Sequence, residues 1–228
     1  MALRHAGPTD GLGDRAVASD ILFLLVVMVS AATLLGLVAA ALGGRWRFAR
    51  RLLRGYALVA FTYLGALVLF SLTAPQRVLP LGEDRCFDDW CIAATGYSVL
   101  PELGPSTRRL RAQGRFYAVE IRLSNQARGR SQRASSVALW LLDDRGRRYP
   151  VSRSGQAAWE AEHGPTAALT STLALGERLG TLRVFEVPLD ARSLGLVVEH
   201  PAGFSPGRLI LFDEQSWLHP PTVFRLAP

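Results

Sequence analysis

The sequence contains no lysine: all 26 of its basic residues are arginine. Cysteine and methionine are scarce too, at two each in 228 residues. Two cysteines exclude a disulfide-dense mini-protein, in which several bridges replace a core. A hydrophobic content of 49% excludes a disordered chain, and 21 glycines without a three-residue period exclude a collagen-like repeat. No HExxH, GxSxG, Walker-type or strand-following GxGxxG pattern occurs. The four histidines, His5, His163, His200 and His219, are scattered without ligand spacing and read as structural or exposed. The expectation is a protein that is not an enzyme and uses no cofactor or metal.

A net charge of +7 and a pI of about 10.4 raise the question of nucleic acid. Replacement of every lysine by arginine, with abundant Ala, Gly, Leu and Pro, reads instead as the codon bias of a high-GC bacterial genome. No arginine cluster lies beside stacking aromatics of the kind that single-strand binders use, so nucleic acid is not an expected partner.

Apolar residues concentrate near the start. Residues 21–44 carry no charge, and the run 21–42 is 22 residues long, about 33 Å as a helix. That crosses a hydrocarbon layer of about 30 Å. A second charge-free stretch has its apolar centre at 56–74, with Tyr56 placed as an interfacial aromatic and Pro75 as the stop. A cleavable signal peptide is the alternative for the first run, because Ala39-Ala40-Ala41 suits cleavage. Its length, behind a tail (1–20) that holds Asp10, Asp14 and Asp20, favours a retained span. The intervening residues 43–55 contain Arg45, Arg47, Arg50, Arg51 and Arg54, which predicts a cytoplasmic loop with both termini outside. Ala32, Gly36, Ala40 and Gly44 recur every fourth residue and form a small-residue stripe. The stripe packs on the second span of the same hairpin or, as the sharper reading, makes a homodimer seam. Neither span holds an ionisable residue, so the hairpin reads as an integral anchor rather than a transport path.

Residues 75–84, with Pro75, Pro80 and Gly82, read as a linker to a domain over 85–228. Along 116–123, Tyr117, Val119, Ile121 and Leu123 alternate with Glu120 and Arg122, the pattern of a strand with one buried face. Further strands are predicted at 92–100, 137–142, 147–153, 169–175, 182–187, 194–200, 209–213 and 222–226. Asp143-Asp144-Arg145-Gly146 supplies a hairpin turn. Trp140 shares a strand face with Ala138 and Leu142, a face expected in the core or at its edge. Only 156–162 has a helical look. So many short strands in so few residues predict an immunoglobulin-like antiparallel β-sandwich, giving a two-helix membrane hairpin plus an all-β domain.

Four stretches carry a resemblance: GRFYAVEIRLSN (114–125), DDRGRRY (143–149), LALGE (173–177) and FEVP (185–188). Over about residues 86–213 the chain resembles a bacterial family of telokin-like immunoglobulin-fold domains of unknown function, related to mycobacterial secreted immunoprotective antigens. Leu175 stands where that family usually has proline. The resemblance implies an extracytoplasmic sandwich and no catalytic residues.

Cys86 and Cys91 in CFDDWC are too widely spaced for a CxxC redox pair and too few for zinc, so a local disulfide is the leading reading, with two reduced thiols as the alternative. Such a bond persists only in an oxidising compartment. Asp88 and Asp89 between them read as a solvated turn, falling short of a calcium site. The loop 124–136 is long and polar, and its Arg128, Arg130 and Arg133 make it a candidate mobile interaction loop for an anionic envelope surface or a protein partner. A platform built from Trp159 and Trp217 is a further possibility without sequence support. These features predict a multi-pass protein of the inner (cytoplasmic) membrane that presents an extracytoplasmic binding module. An accessory subunit of an envelope transport or secretion complex, with the hairpin as interface, is the alternative. An envelope hydrolase with an unrecognised site is a weaker one.

Overall fold

The computed structural model describes residues 10–87, 89–199, 206–211, 216 and 218–226, the side chains of 10–17 and 206 excepted. Two helices come first: α1 (Asp10–Leu42) and α2 (Trp46–Thr73). Both contain a stretch long and apolar enough to cross a membrane, Ala18–Leu42 in α1 and Trp46–Thr73 in α2. Both helices outgrow the predicted spans. Once an apolar stretch has nucleated a helix, each added residue gains a hydrogen bond, and α1 starts within the expected tail at Asp10. The expected loop 43–55 shrinks to Gly43, Gly44 and Arg45, because the arginine-rich segment after it is itself helix-forming and free of proline. Arg47, Arg50, Arg51 and Arg54 therefore stand on α2.

The helices and the described residues between 206 and 221 cluster as one compact unit, and the rest of the chain from Arg77 onward forms a second. Within the first unit, the small-residue stripe lies partly in the helix pair. A Cβ on Gly36 would come within 2.8 Å of the Leu52 side chain of α2, and Ala40 is buried while Ala32 is exposed. Ser30 and Tyr56 share a hydroxyl hydrogen bond of 2.9 Å across the pair. Of the strand expected at 209–213, the described residues 209–211 lie at and just after a 3₁₀ turn at Pro206–Leu209, and 212–213 lie outside the described residues. A short apolar run has no periodicity that separates strand from other packed segments, and here its first residue, Leu209, meets α2. The Tyr63 hydroxyl donates to the Leu209 carbonyl, Ser71 and Ser216 hydroxyls meet at 3.0 Å, and Gln76 Nε2 donates to the Pro221 carbonyl at 3.0 Å.

The second unit is a β-sandwich of nine strands among the described residues. They are β1 (Val78–Leu79), β2 (Arg85–Phe87), β3 (Trp90–Leu103), β4 (Leu110–Asn125), β5 (Ala138–Leu142), β6 (Arg148–Pro150), β7 (Arg178–Val187), β8 (Gly195–Glu199) and β9 (Val223–Arg225), with helix α3 (Arg153–His163) between β6 and β7. One sheet has the order β1-β9-β8-β5-β6, the other β2-β3-β4-β7, and every pairing is antiparallel except β1 with β9. The run β9-β8-β5-β6 matches the G-F-C-C′ order of an immunoglobulin-type sandwich, and β3-β4-β7 matches A-B-E. The stretch expected as linker thus supplies an edge strand, β1.

The predicted alternation along β4 is present. Val119, Ile121 and Leu123 join Ile92, Phe185, Leu139, Leu141, Leu196 and Phe224 in the main core. The other face of β4 is buried as well at one end, where Phe116, Ala118, Val184 and Leu103 pack under Ala158 and Trp159 of α3. The β5 face is the reverse of the expected one. Leu139 and Leu141 fill the core, whereas Trp140 looks outward beneath the Arg148 guanidinium, 4.9 Å from its ring centre. The segment 169–175 forms no strand and makes one isolated bridge, Leu173 with Gln132 in the loop between β4 and β5. Its Leu173 and Ala174 carbonyls accept from the Asn125 side-chain amide as well as from the Gln132 and Glu177 backbone amides, with no ladder.

Candidate functional site

The outer face of the β2-β3-β4-β7 sheet is only half covered, and α3 decides where the cover stops. Ser152 caps the helix by accepting from the Gly155 amide. The chain leaves α3 at Gly164 with φ of +90°, a conformation that glycine adopts without strain. Beyond that point the sheet is open, and a groove of about 590 Å³ remains between its floor and the 164–167 segment. Thr95, Glu120, Gly180 and Leu182 lie along the floor, with Arg122 and Arg178 at the end away from α3. Trp159 and His163 form the wall, stacked at 4.0 Å with an interplanar angle of 10°.

The groove wall is held by a half-buried polar lattice. Arg183 is half-buried and donates to the Ala167 carbonyl and to Thr166 and Thr181 hydroxyls. Burial pushes its pKa below the ordinary guanidinium value. Glu160 accepts from Thr166 and Gln156, and these hydrogen bonds hold its carboxyl below the usual range. Gln156 also closes the free edge of β7. Its Oε1 accepts from the Val184 amide at 3.0 Å and its Nε2 reaches the Leu182 carbonyl at 3.4 Å. A side-chain amide thus replaces a missing neighbouring strand and blunts an edge that would otherwise template pairing. Chemically the groove offers hydrogen bonds, one exposed carboxylate and one exposed guanidinium beside an aromatic wall.

The candidate residues named from sequence lie elsewhere. Cys86 and Cys91 face each other in the β2–β3 hairpin and are joined in a disulfide. Asp88 lies outside the described residues. Asp89 is engaged by Arg130 at 3.4 Å and Gln132 at 3.3 Å. Arg128, Arg130 and Arg133 are exposed, but their loop is pinned rather than free. Buried Asn125 donates to the Arg130, Leu173 and Ala174 carbonyls and accepts from the Ala127 amide. His5, His200 and Trp217 lie outside the described residues, so a Trp159–Trp217 platform does too. Among the described residues no cluster of three or more His, Cys, Asp or Glu could hold a metal. The groove itself was not legible in the sequence, because it depends on where α3 ends over the sheet. The helical look of 156–162 was its one local signal.

The chain is therefore a protein of two long apolar helices followed by a mixed, largely antiparallel β-sandwich. No protein-family model matches it, and no curated protein matches it significantly. Solved structures with a similar fold include a conserved hypothetical protein from Bacillus anthracis (TM-score 0.41, 16% identity, covering 53% of this chain and 89% of that one). Others are an uncharacterised β-sandwich protein from Clostridium difficile 630 (0.38, 10%, 66% and 94%) and the secreted protein MPT63 from Mycobacterium tuberculosis (0.36, 16%, 57% and 94%). At these TM-scores and identities no function carries over.

Proposed function

We propose that this is an integral membrane protein, anchored by α1 and α2, that presents its sandwich outside the cytoplasm as a binding module of the telokin-like immunoglobulin-fold kind. The Cys86–Cys91 disulfide in the first hairpin of the sandwich carries the reading. Such a bond survives in an oxidising compartment and is reduced in the cytosol. With the sandwich outside, an even number of spans puts the N-terminus outside and the arginine-rich α1–α2 turn in the cytoplasm, the side where short arginine-bearing connections reside. The outward surfaces of both helices support an anchor: Leu24, Leu25, Met28, Leu58, Phe61 and Leu64 are all exposed. No polar rim interrupts them as it would in a soluble bundle. A topology reporter fused after Pro228, together with thiol labelling of intact cells, tests the proposal. Extracytoplasmic reporter activity with Cys86 and Cys91 labelled only after reduction is the expected result. Cytoplasmic activity with freely labelled thiols overturns it.

A further inference from the structure

The register of the α1–α2 hairpin sets its charge-free stretches out of step. Gly36 faces Leu52 and Ser30 faces Tyr56. The charge-free stretches 21–44 and 55–76, which run just past the ends of α1 and α2, therefore lie side by side only where 21–32 meets 55–66, an overlap of about 18 Å at 1.5 Å per residue. A bilayer presents about 30 Å of hydrocarbon. The missing length must come from one end of the hairpin or the other. At the far end the limit is Asp20, exposed and short. At the turn end the limit is arginine, whose long stem lies along apolar surface while its head stays in the polar layer. The hydrocarbon therefore extends toward the turn.

The surfaces at that end agree. Arg47, Arg50, Arg51 and Arg54 follow the i, i+3, i+4, i+7 spacing of a single helix stripe. All four are exposed, on the side of α2 opposite Ala49, Leu52 and Tyr56. At the same level on α1, Leu34, Leu35, Val38 and Leu42 are 51% to 86% exposed and need acyl chains around them. Trp46 and Phe48 are 63% and 54% exposed beside the arginines, as aromatics at a membrane interface are. Tilting the hairpin satisfies both sides at once, sinking the α1 leucines into the acyl region and leaving the arginine stripe among phosphates.

We propose that Arg47, Arg50, Arg51 and Arg54 form a binding stripe for the phosphate groups of anionic phospholipid in the leaflet next to the α1–α2 turn. The proposal rests on the membrane reading above. Guanidinium pairs with phosphate through two parallel hydrogen bonds, and four on one stripe give a lipid-selective boundary rather than a uniform annulus.

The test reconstitutes the full chain in phosphatidylcholine bilayers containing spin-labelled phosphatidylglycerol or spin-labelled phosphatidylcholine, and measures the motionally restricted fraction of each label. The expected association ratio favours phosphatidylglycerol about fivefold for each arginine that holds a phosphate, and it falls as salt is raised. Replacing all four with Gln (R47Q/R50Q/R51Q/R54Q) brings the ratio near one, while the four-Lys variant keeps most of the selectivity. A wild-type ratio near one, or one indifferent to salt, overturns the stripe while leaving the anchor intact. No restricted component from either label means that the helices meet no lipid, and then the membrane reading fails with it.

Discussion

Asp143 is buried, and its carboxylate is the hub of the β5–β6 turn. It accepts from the Arg145 and Arg147 amides, from Arg147 Nε at 2.6 Å and from the Tyr149 hydroxyl at 2.9 Å. Burial alone would raise its pKa. The Arg147 side-chain and backbone hydrogen bonds, with those from Tyr149 and Arg145, outweigh burial and hold it below the ordinary carboxylate value. A carboxyl depressed in the folded state contributes stability that is present above its unfolded pKa and lost as pH falls through the folded one. Thermal unfolding of the full chain, followed by near-ultraviolet circular dichroism, should hold steady near neutrality and lose midpoint below about pH 4. Asp143→Asn should cost about 2 kcal/mol at neutral pH and flatten that acid slope. An unchanged slope would remove Asp143 from this role. Asn125→Ala removes its bonds to the Arg130 carbonyl and from the Ala127 amide, and one of two bonds at each of the Leu173 and Ala174 carbonyls, and should also cost about 2 kcal/mol by denaturant titration. The aspartate at the turn was readable from DDRGRRY, because Asp and Gly signal turns locally. The Asn125 pin was not, since two of its partners, Leu173 and Ala174, lie nearly fifty residues away in the chain.

Elements were legible where one face is apolar and the other polar. The inward set on β4 follows directly from its alternation, but β5 does not. Ala138, Leu139, Trp140, Leu141 and Leu142 are all apolar, and a run without alternation says nothing about which side faces in. Segment 169–175 misled for a related reason. Its Thr and Ser residues mimic alternation while its backbone makes one isolated bridge and no ladder. The cover over β7 is equally non-local, since it depends on Gln156 reaching across to Val184 and Leu182. Gln156→Leu keeps the bulk of the side chain and removes the cap. Hydrogen exchange should then show selective loss of protection at the Val184 amide, with β3 and β4 amides unchanged. Uniform loss across the sheet would mean that Gln156 supports α3 as a whole. Gly114 on β4 gives a sharper case. A Cβ there would sit 2.1 Å from the Val187 carbonyl oxygen and 2.8 Å from the Pro188 Cα, both backbone. No rotamer change relieves that clash, so Gly114→Ala should destabilise by about 3 kcal/mol in denaturant unfolding.

The whole chain passes between its two units more than once, and composition alone gave no hint of it. The hairpin unit takes in residues up to Gln76 and a later piece of chain ending at Pro221, with sandwich on both sides of that piece. The later piece follows α2 in order: Pro221 at Gln76, Ser216 at Ser71, Leu209 at Tyr63. Tyr63 and Ser71 are eight positions apart, about 12 Å along α2, and Gln76 lies beyond its end, so the contact is a strap and not a touch. A sandwich joined only through residues 75–77 would leave the helices once that peptide is cut. A strapped one would stay. With a protease site inserted between Pro75 and Gln76, cleavage of the full chain in mild detergent should leave the fragment from residue 76 onward co-eluting with α1–α2 in size exclusion. Gln76 stays with Pro221 on the released fragment, so replacing Tyr63 with Phe and Ser71 with Ala removes both of the hydrogen bonds named here that cross the cut and should weaken that retention. Separation of the two fragments in the unmutated chain would show that residues 206–221 do not hold to α2 once the direct connection is gone.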